Sequence, residues 1–188
     1  MELDCAWSTR DQEYLRYHDE EWGVPVWGDA RLFEMLVLEG AQAGLSWITV
    51  LRRRLSYRQA FSGFDIGVVA QMDPAVLLAS PGVIKNRQKI LSTIQNARVA
   101  LRIQDEWGSL AGYLWSFTQH EPLINHWREA SEVPSQSRES QSMSHGLKAY
   151  GMSFVGPTIC YAFMQAVGMV NDHLMGCPRY QALGGCRI

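Results

Sequence analysis

The chain has 188 residues, 47% hydrophobic and 19% charged, with a formal net charge of −2. That length suits one domain or two small lobes, and the apolar share is enough for a real core. No apolar run approaches the ~20 residues that span a bilayer. The start, Met1-Glu2-Leu3-Asp4, is acidic where a secretory leader would be apolar. The charge excludes a uniformly basic nucleic-acid coat but leaves room for a local patch.

Helical signals dominate in chain order. Asp29 is placed to cap a helix carrying Leu32, Phe33, Leu36 and Val37 on one face. Ser46 is placed to cap the next, with Trp47, Val50 and Leu51 followed by Arg52-Arg53-Arg54. Asp73-Pro74 reads as an N-cap followed by Pro at the first helical position, and Ser80-Pro81-Gly82 ends that short helix. Ile90, Ile94, Ala97 and Leu101 predict a long helix from about Asn86 to Glu106. Ser109 caps Leu110, Tyr113, Leu114 and Phe117. From Gln119 to Ser144 the chain is polar, Ser-rich and broken by Pro122 and Pro134, which predicts the longest loop. A helix over about Ser140 to Tyr150 follows, then a tight segment from Gly151 to Gly156, then a helix carrying Ile159, Ala162, Phe163, Ala166 and Val167. Alternating strand patterns are nearly absent, and no internal repeat is visible. The fold class expected is all-α, a single domain over 1–188.

Two fragments at the ends of the chain match in chemistry. Cys5 and His18 stand near the start, and His173 and Cys177 near the end. Together they make the Cys₂His₂ set that tetrahedral zinc prefers, and four protein ligands leave no open position for chemistry. A buried Cys or a hydrogen-bonded His is the plainer alternative for each. Asp19 and Asp172, the neighbours of the two histidines, offer acceptors for the remaining imidazole N–H groups. Cys160 sits in an apolar run and reads as core. Cysteines spaced for metal rather than for disulfides point to a reducing, cytoplasmic setting.

Helix, glycine-bounded turn, helix around Phe154-Val155-Gly156 is the pattern of a helix-hairpin-helix element, spanning about 140–167. Such a turn offers backbone N–H groups at a helix N-terminus to a DNA phosphate, whatever the base sequence. The alternative is an αα-hairpin whose glycines only permit the turn. Trp7, Tyr14, Tyr17, Trp22 and Trp47 crowd the N-terminal part, and Glu39 ends an apolar helix between Leu38 and Gly40. A buried carboxylate needs a donor or a role. With aromatic rings around it, Glu39 makes a pocket for a flat, electron-poor, positively charged ring. The plainer reading is a helix-end glutamate in solvent. Arg52 to Arg54 read as a solvated helix face, whereas Lys85 to Lys89, after Gly82-Val83-Ile84, lean toward DNA contact.

Tyr17-His18-Asp19-Glu20-Glu21-Trp22-Gly23-Val24-Pro25, Leu32-Phe33-Glu34-Met35 and the run from Leu38 to Leu51 resemble the family of 3-methyladenine DNA glycosylase I. So do Phe154 to Tyr161 and Asn171-Asp172-His173; the likeness reaches Cys177 and is thin from about Glu121 to Gln141. The resemblance implies a helix-hairpin-helix glycosylase that flips 3-methyladenine out of alkylated double-stranded DNA and hydrolyses its glycosidic bond. By position, it implies that Cys5, His18, His173 and Cys177 hold a structural zinc. Glu39 would bond the base and is the candidate catalytic residue; Trp7, Tyr14, Tyr17 and Trp47 would form the pocket. Leu45, after Gly44, would plug the gap in the duplex, and Phe154, Val155, Gly156 and Lys85 would contact the backbone. The sequence departs from the family pattern near Lys85 and at Pro157. A zinc-stapled DNA-binding module and a small-molecule binder are the readings from other classes. With no heptad or broad apolar face, a monomer without membrane contact is expected.

Overall fold

The computed structural model describes Cys5 and residues 11–186. These residues form a mostly helical structure with one two-residue parallel pairing, Leu123–Ile124 (β1) against Val170–Asn171 (β2). None of the described helices is long and apolar enough to cross a membrane.

The first helix, α1 (Gln12–Glu20), has no counterpart in the sequence reading. Asp11 caps it by accepting the N–H groups of Glu13 (3.0 Å) and Tyr14 (3.1 Å). Tyr14, Tyr17 and His18 then fall at helical spacing on its inner face.

Helix α2 (Asp29–Gln42) runs through the core, with every residue from Leu32 to Ala41 buried. An apolar stripe on one face would bury only part of a helix; α2 is covered from several sides. Asp29 is not its cap. Gly28 holds that position, and the Asp29 carboxylate accepts from Leu110 N and Ala111 N (2.9 Å each) and Gln104 Nε2 (2.6 Å). It thus caps a different helix, α8 (Leu110–Ser116), in space rather than in sequence.

Short helices α3 (Trp47–Leu51), α4 (Arg54–Ala60), α5 (Ile66–Val69) and α6 (Pro74–Ala79) wrap one side. Asp73 caps α6 as expected, accepting Ala75 N at 2.8 Å. Ser46 is the N-cap of α3 but makes no capping bond; its Oγ pairs with Thr49 Oγ1 instead. The long helix α7 (Arg87–Trp107) is capped by Asn86 and stopped by Gly108 at φ +78°. Helix α8 (Leu110–Ser116) follows, capped by Ser109.

The expected loop is shorter than its composition suggests. A capping box between Ser137 and Ser140 starts α9 (Arg138–Ala149) earlier than the apolar spacing alone indicates. Helix α10 (Pro157–Ala166) packs against α9 and also against α2, and α11 (Pro178–Ala182) closes the described chain. Reciprocal bonds between the Asn96 side chain and the Ser153 backbone, 2.9 and 3.0 Å, anchor the α9–α10 turn to α7.

Candidate base-binding cavity and metal centre

Helices α1, α2, α3 and α10 surround a cavity of about 350 Å³. Tyr14, Tyr17, Trp22 and Trp47 supply its aromatic walls, and Glu39, Gln42, Gln165 and Asp172 its polar groups. The structure therefore brings Tyr14, Tyr17, Glu39 and Trp47 together around one cavity, while Trp7 lies outside the described residues. The rings of Tyr17 and Trp47 stand 5.5 Å apart at 47°.

Two glutamates on α2 have opposite surroundings. Glu34 is buried but accepts from Arg54 Nε (2.7 Å), Arg58 Nε (2.8 Å) and Arg31 Nη1 (2.9 Å). Arg54 is itself buried and also reaches Glu21, so the solvated-face reading of the Arg52 to Arg54 run fails at this residue: its charge completes an internal ion-pair network. Glu39 is equally buried, and among the described residues no donor reaches its carboxylate. Burial alone pushes its pKa up to about 8. Burial, and then the nearby Glu39 charge, also raise the Tyr14 and Tyr17 phenols. Trp47 Nε1 is buried without a partner among the described residues. A cavity that keeps an acidic group unpaired among ring faces is set for a cationic or donor-rich flat ligand.

Asp172 does not orient His173. Its Oδ1 accepts from Asn125 Nδ2 and Trp127 Nε1 (2.7 Å each), and its Oδ2 from Tyr161 OH (2.6 Å) and Gln165 Nε2 (2.8 Å). Burial and the Asp172 charge raise the Tyr161 phenol far above its ordinary range, which keeps it a donor. The imidazole Nε2 of His173 instead faces the Trp22 carbonyl at 3.1 Å. The sequence reading missed Gln165; its one signal was an amide in an otherwise apolar helix.

A second opening continues from the first, sharing Glu39, Gln42 and Ala162, and is bordered by Gly44, Leu45, Thr158 and Ile159. Gly44 takes φ +80° to turn the chain, leaving the Leu45 side chain 42% exposed at the tip. Leu45 and the start of α10 therefore share one mouth. In the α9–α10 turn Phe154 adopts φ +56°, and the Val155 carbonyl is taken by Ser144 Oγ at 2.6 Å. The N–H groups of Val155 and Gly156 have no acceptor among the described residues. In the turn at Gly82, Ile84 N–H donates to Tyr57 OH at 3.2 Å. Lys85 is exposed and donates to the Ser80 carbonyl, whereas Lys89 donates to the carbonyls of Ala41 (2.8 Å) and Ala43 (2.7 Å).

Cys5, His18, His173 and Cys177 converge as a buried group whose ligand atoms all lie within 4.8 Å of one another. His173 Nδ1 is 3.5 Å from Cys5 Sγ and 3.6 Å from Cys177 Sγ, and His18 Nε2 is 3.9 Å from Cys177 Sγ. Metal bonds of ~2.0–2.3 Å in a tetrahedron give edges of roughly 3.3–3.8 Å, so the set fits a metal ion with little adjustment. The far nitrogens are held as such ligands require: His18 Nδ1 by Asp19 at 2.7 Å, and His173 Nε2 by the Trp22 carbonyl. Hydrogen bonding with Cys5, against the cost of burial, and with His173 and His18, keeps the Cys177 thiol well below its usual range, toward the thiolate a metal binds.

Residues 7–180 match the family model for methyladenine glycosylase. The chain is 46% identical over 179 residues to DNA-3-methyladenine glycosylase 1 of Escherichia coli strain K12, covering 94% of this chain and 96% of that one. It is 41% identical to DNA-3-methyladenine glycosylase of Haemophilus influenzae, covering 95% and 98%. A solved structure on 3-methyladenine recognition by the Staphylococcus aureus 3-methyladenine DNA glycosylase I aligns with TM-score 0.91 and 34% identity, over 94% of this chain and 96% of that one. Family model, relatives and structure agree over nearly the whole length: the chain belongs to the methyladenine glycosylase family.

Proposed function

We propose that this protein is a monofunctional DNA glycosylase that releases 3-methyladenine from alkylated double-stranded DNA and leaves an abasic site. The observation that carries the reading is Glu39, buried and, among the described residues, without a donor in a cavity walled by Tyr14, Tyr17, Trp22 and Trp47. Methylation at N3 of a DNA adenine gives the base a positive charge and makes it a good leaving group. The protein then has to extrude the nucleotide, hold the base and admit water to C1′ of the sugar. Trp47 and the tyrosines stack on the base, worth about 1–3 kcal/mol per ring. Glu39 accepts its N–H groups and is stabilised as a carboxylate by the incoming charge. Among the described residues no lysine lines the cavity, which favours hydrolysis over a Schiff base.

Leu45, at the mouth after Gly44, fills the space left in the duplex. The turn of Phe154, Val155 and Gly156 grips the backbone through the free N–H groups, as a helix-hairpin-helix element does, and Lys85 adds one phosphate contact. Cys5, His18, His173 and Cys177 hold one zinc ion, which joins the N-terminal segment to the chain after β2 and plays a structural part only. The protein acts as a monomer on this reading.

The test is base release from dimethylsulfate-treated duplex DNA, resolved by chromatography, with wild type beside Glu39→Gln. The expected result is release of 3-methyladenine by wild type and a large loss in the variant. Absence of release by folded, zinc-loaded protein would overturn the reading, and unchanged single-turnover excision by Glu39→Gln would remove Glu39 from it.

A further inference from the structure

Resting on that reading and deepening it, we infer that Gln165 is a specificity-determining residue: Asp172 locks its amide so that the oxygen faces the cavity and accepts a hydrogen bond from the exocyclic amino group of the base. Asp172 is 3% exposed and has four hydrogen-bond partners. Trp127 Nε1 can only donate. Asn125, Tyr161 and Gln165 approach the remaining positions, at 2.6–2.8 Å. A carboxylate offers about four lone-pair sites, so the four bonds saturate it as an acceptor.

An acceptor with every site filled decides which way the Gln165 amide turns. Its NH₂ must point to Asp172, and its oxygen must point away. Tyr161 and Gln165 lie one turn apart on α10 and meet the same Asp172 oxygen, so the helix itself fixes where the amide sits. The Gln165 backbone carbonyl is held as well, by Gly23 N–H at 3.1 Å. Gln165 lines the cavity, and among the described residues no donor reaches its amide oxygen.

The cavity therefore presents acceptors from two helices, Glu39 on α2 and Gln165 on α10, between aromatic walls. A purine with an amino group at ring position 6 supplies donors to them. A purine with a carbonyl there sets oxygen against oxygen. Sites built to hydrogen-bond a substrate donor reject analogues that lack it far better than apolar pockets reject a change in size.

The experiment titrates full-length, zinc-loaded protein with free 3-methyladenine and with 3-methylhypoxanthine, its carbonyl counterpart, using the fluorescence of the cavity tryptophans. Wild type is expected to prefer the amino base by about tenfold or more, the worth of one hydrogen bond and the clash it replaces. Gln165→Met, similar in length and without an acceptor, should lose most of that preference through weaker 3-methyladenine binding. Asp172→Asn should weaken the preference too, because its amide can donate and lets Gln165 turn over. A wild-type preference retained in either folded variant overturns the inference, and so does a wild type that binds both bases equally. Wild type that binds neither base and releases none from alkylated DNA marks failure of the glycosylase reading instead.

Discussion

A Cβ atom on Gly40 would lie 3.2 Å from the Phe154 Cβ and 3.3 Å from the Phe154 carbonyl oxygen. The residue after Glu39 is thus pressed against the apex of the α9–α10 turn, and a glycine permits that approach. This approach sets the cavity end of α2 directly against the turn proposed to grip the DNA backbone. Gly40→Val should overpack it, lowering stability by about 1–3 kcal/mol. It should also slow excision more than the stability loss explains, because the turn shifts relative to Glu39. Thermal melting beside single-turnover excision at a temperature where the variant is folded checks both. Full stability and full activity would show that the contact is slack.

Glu39 carries a pH signature. Burial raises its pKa from 4.5 to about 8, so the folded protein with an empty cavity holds it neutral at pH 7 while the unfolded chain does not. The stability linked to the neutral form is complete below about pH 4.5 and is lost as pH rises through 8. Glu39→Gln has no such loss. Its stability relative to wild type should grow between pH 4.5 and 8, with about 5 kcal/mol as the ceiling for a shift of this size. A cationic base reverses the balance, since its charge favours the carboxylate. Binding of alkylated DNA below pH 8 should release a proton and tighten as pH rises. Melting curves at pH 5 and 8.5, and calorimetry in two buffers of different ionisation heat, give the answer. A wild type more stable than Glu39→Gln at pH 8.5 would contradict the assignment.

The metal group shares residues with the cavity wall. Cys5 lines the cavity, as does Leu174, whose N–H bonds Cys5 Sγ at 3.3 Å, and the Trp22 ring stands 4.6 Å from that of His173. Removing the ion should therefore loosen the aromatic wall as well as the chain ends. Cys177→Ser, or prolonged chelation, is expected to release one zinc per chain, lower the melting temperature and weaken 3-methyladenine binding. Readdition of zinc should restore the chelated wild type. Protein that purifies without metal and melts unchanged in chelator would show that the four residues form only a hydrogen-bonded cluster.

Much of this was legible in the sequence because local chemistry and tertiary outcome agree. Asp73-Pro74 and Ser109 cap the helices they precede, and the periodic apolar residues of α7 are all on its packed face except for the partly buried Leu101. The four metal-binding candidates were visible as residue types, though their convergence depends on α1, which apolar spacing did not mark. What was not legible depends on partners distant in sequence. Asp29 looks like a cap for α2 and is one for α8. Arg54 looks like part of a basic surface run and lies inside, because Glu34 and Glu21 meet it there. Asp172, beside a candidate metal ligand, turns its carboxylate to Gln165 and Tyr161 because β2 faces α10 at that point.

Lys85, just before α7, and Lys89, in its first turn, should behave differently. Lys89 donates to the Ala41 and Ala43 carbonyls at the end of α2, where the helix dipole is negative, and partial burial lowers its pKa. It acts within the fold, holding the end of α2 just beyond Glu39. Lys85 is exposed and, among the described residues, bonds only the Ser80 carbonyl, which a phosphate can replace. Lys85→Glu should leave the melting temperature nearly unchanged and reduce the slope of log binding constant against log salt by about 1, the loss of one phosphate contact. Lys89→Gln should do the reverse, costing about 1–2 kcal/mol in stability with the slope intact. Filter binding to abasic duplex DNA over a salt series, with melting curves for both variants, separates the two roles. An unchanged slope for Lys85→Glu would return that residue to the solvated surface.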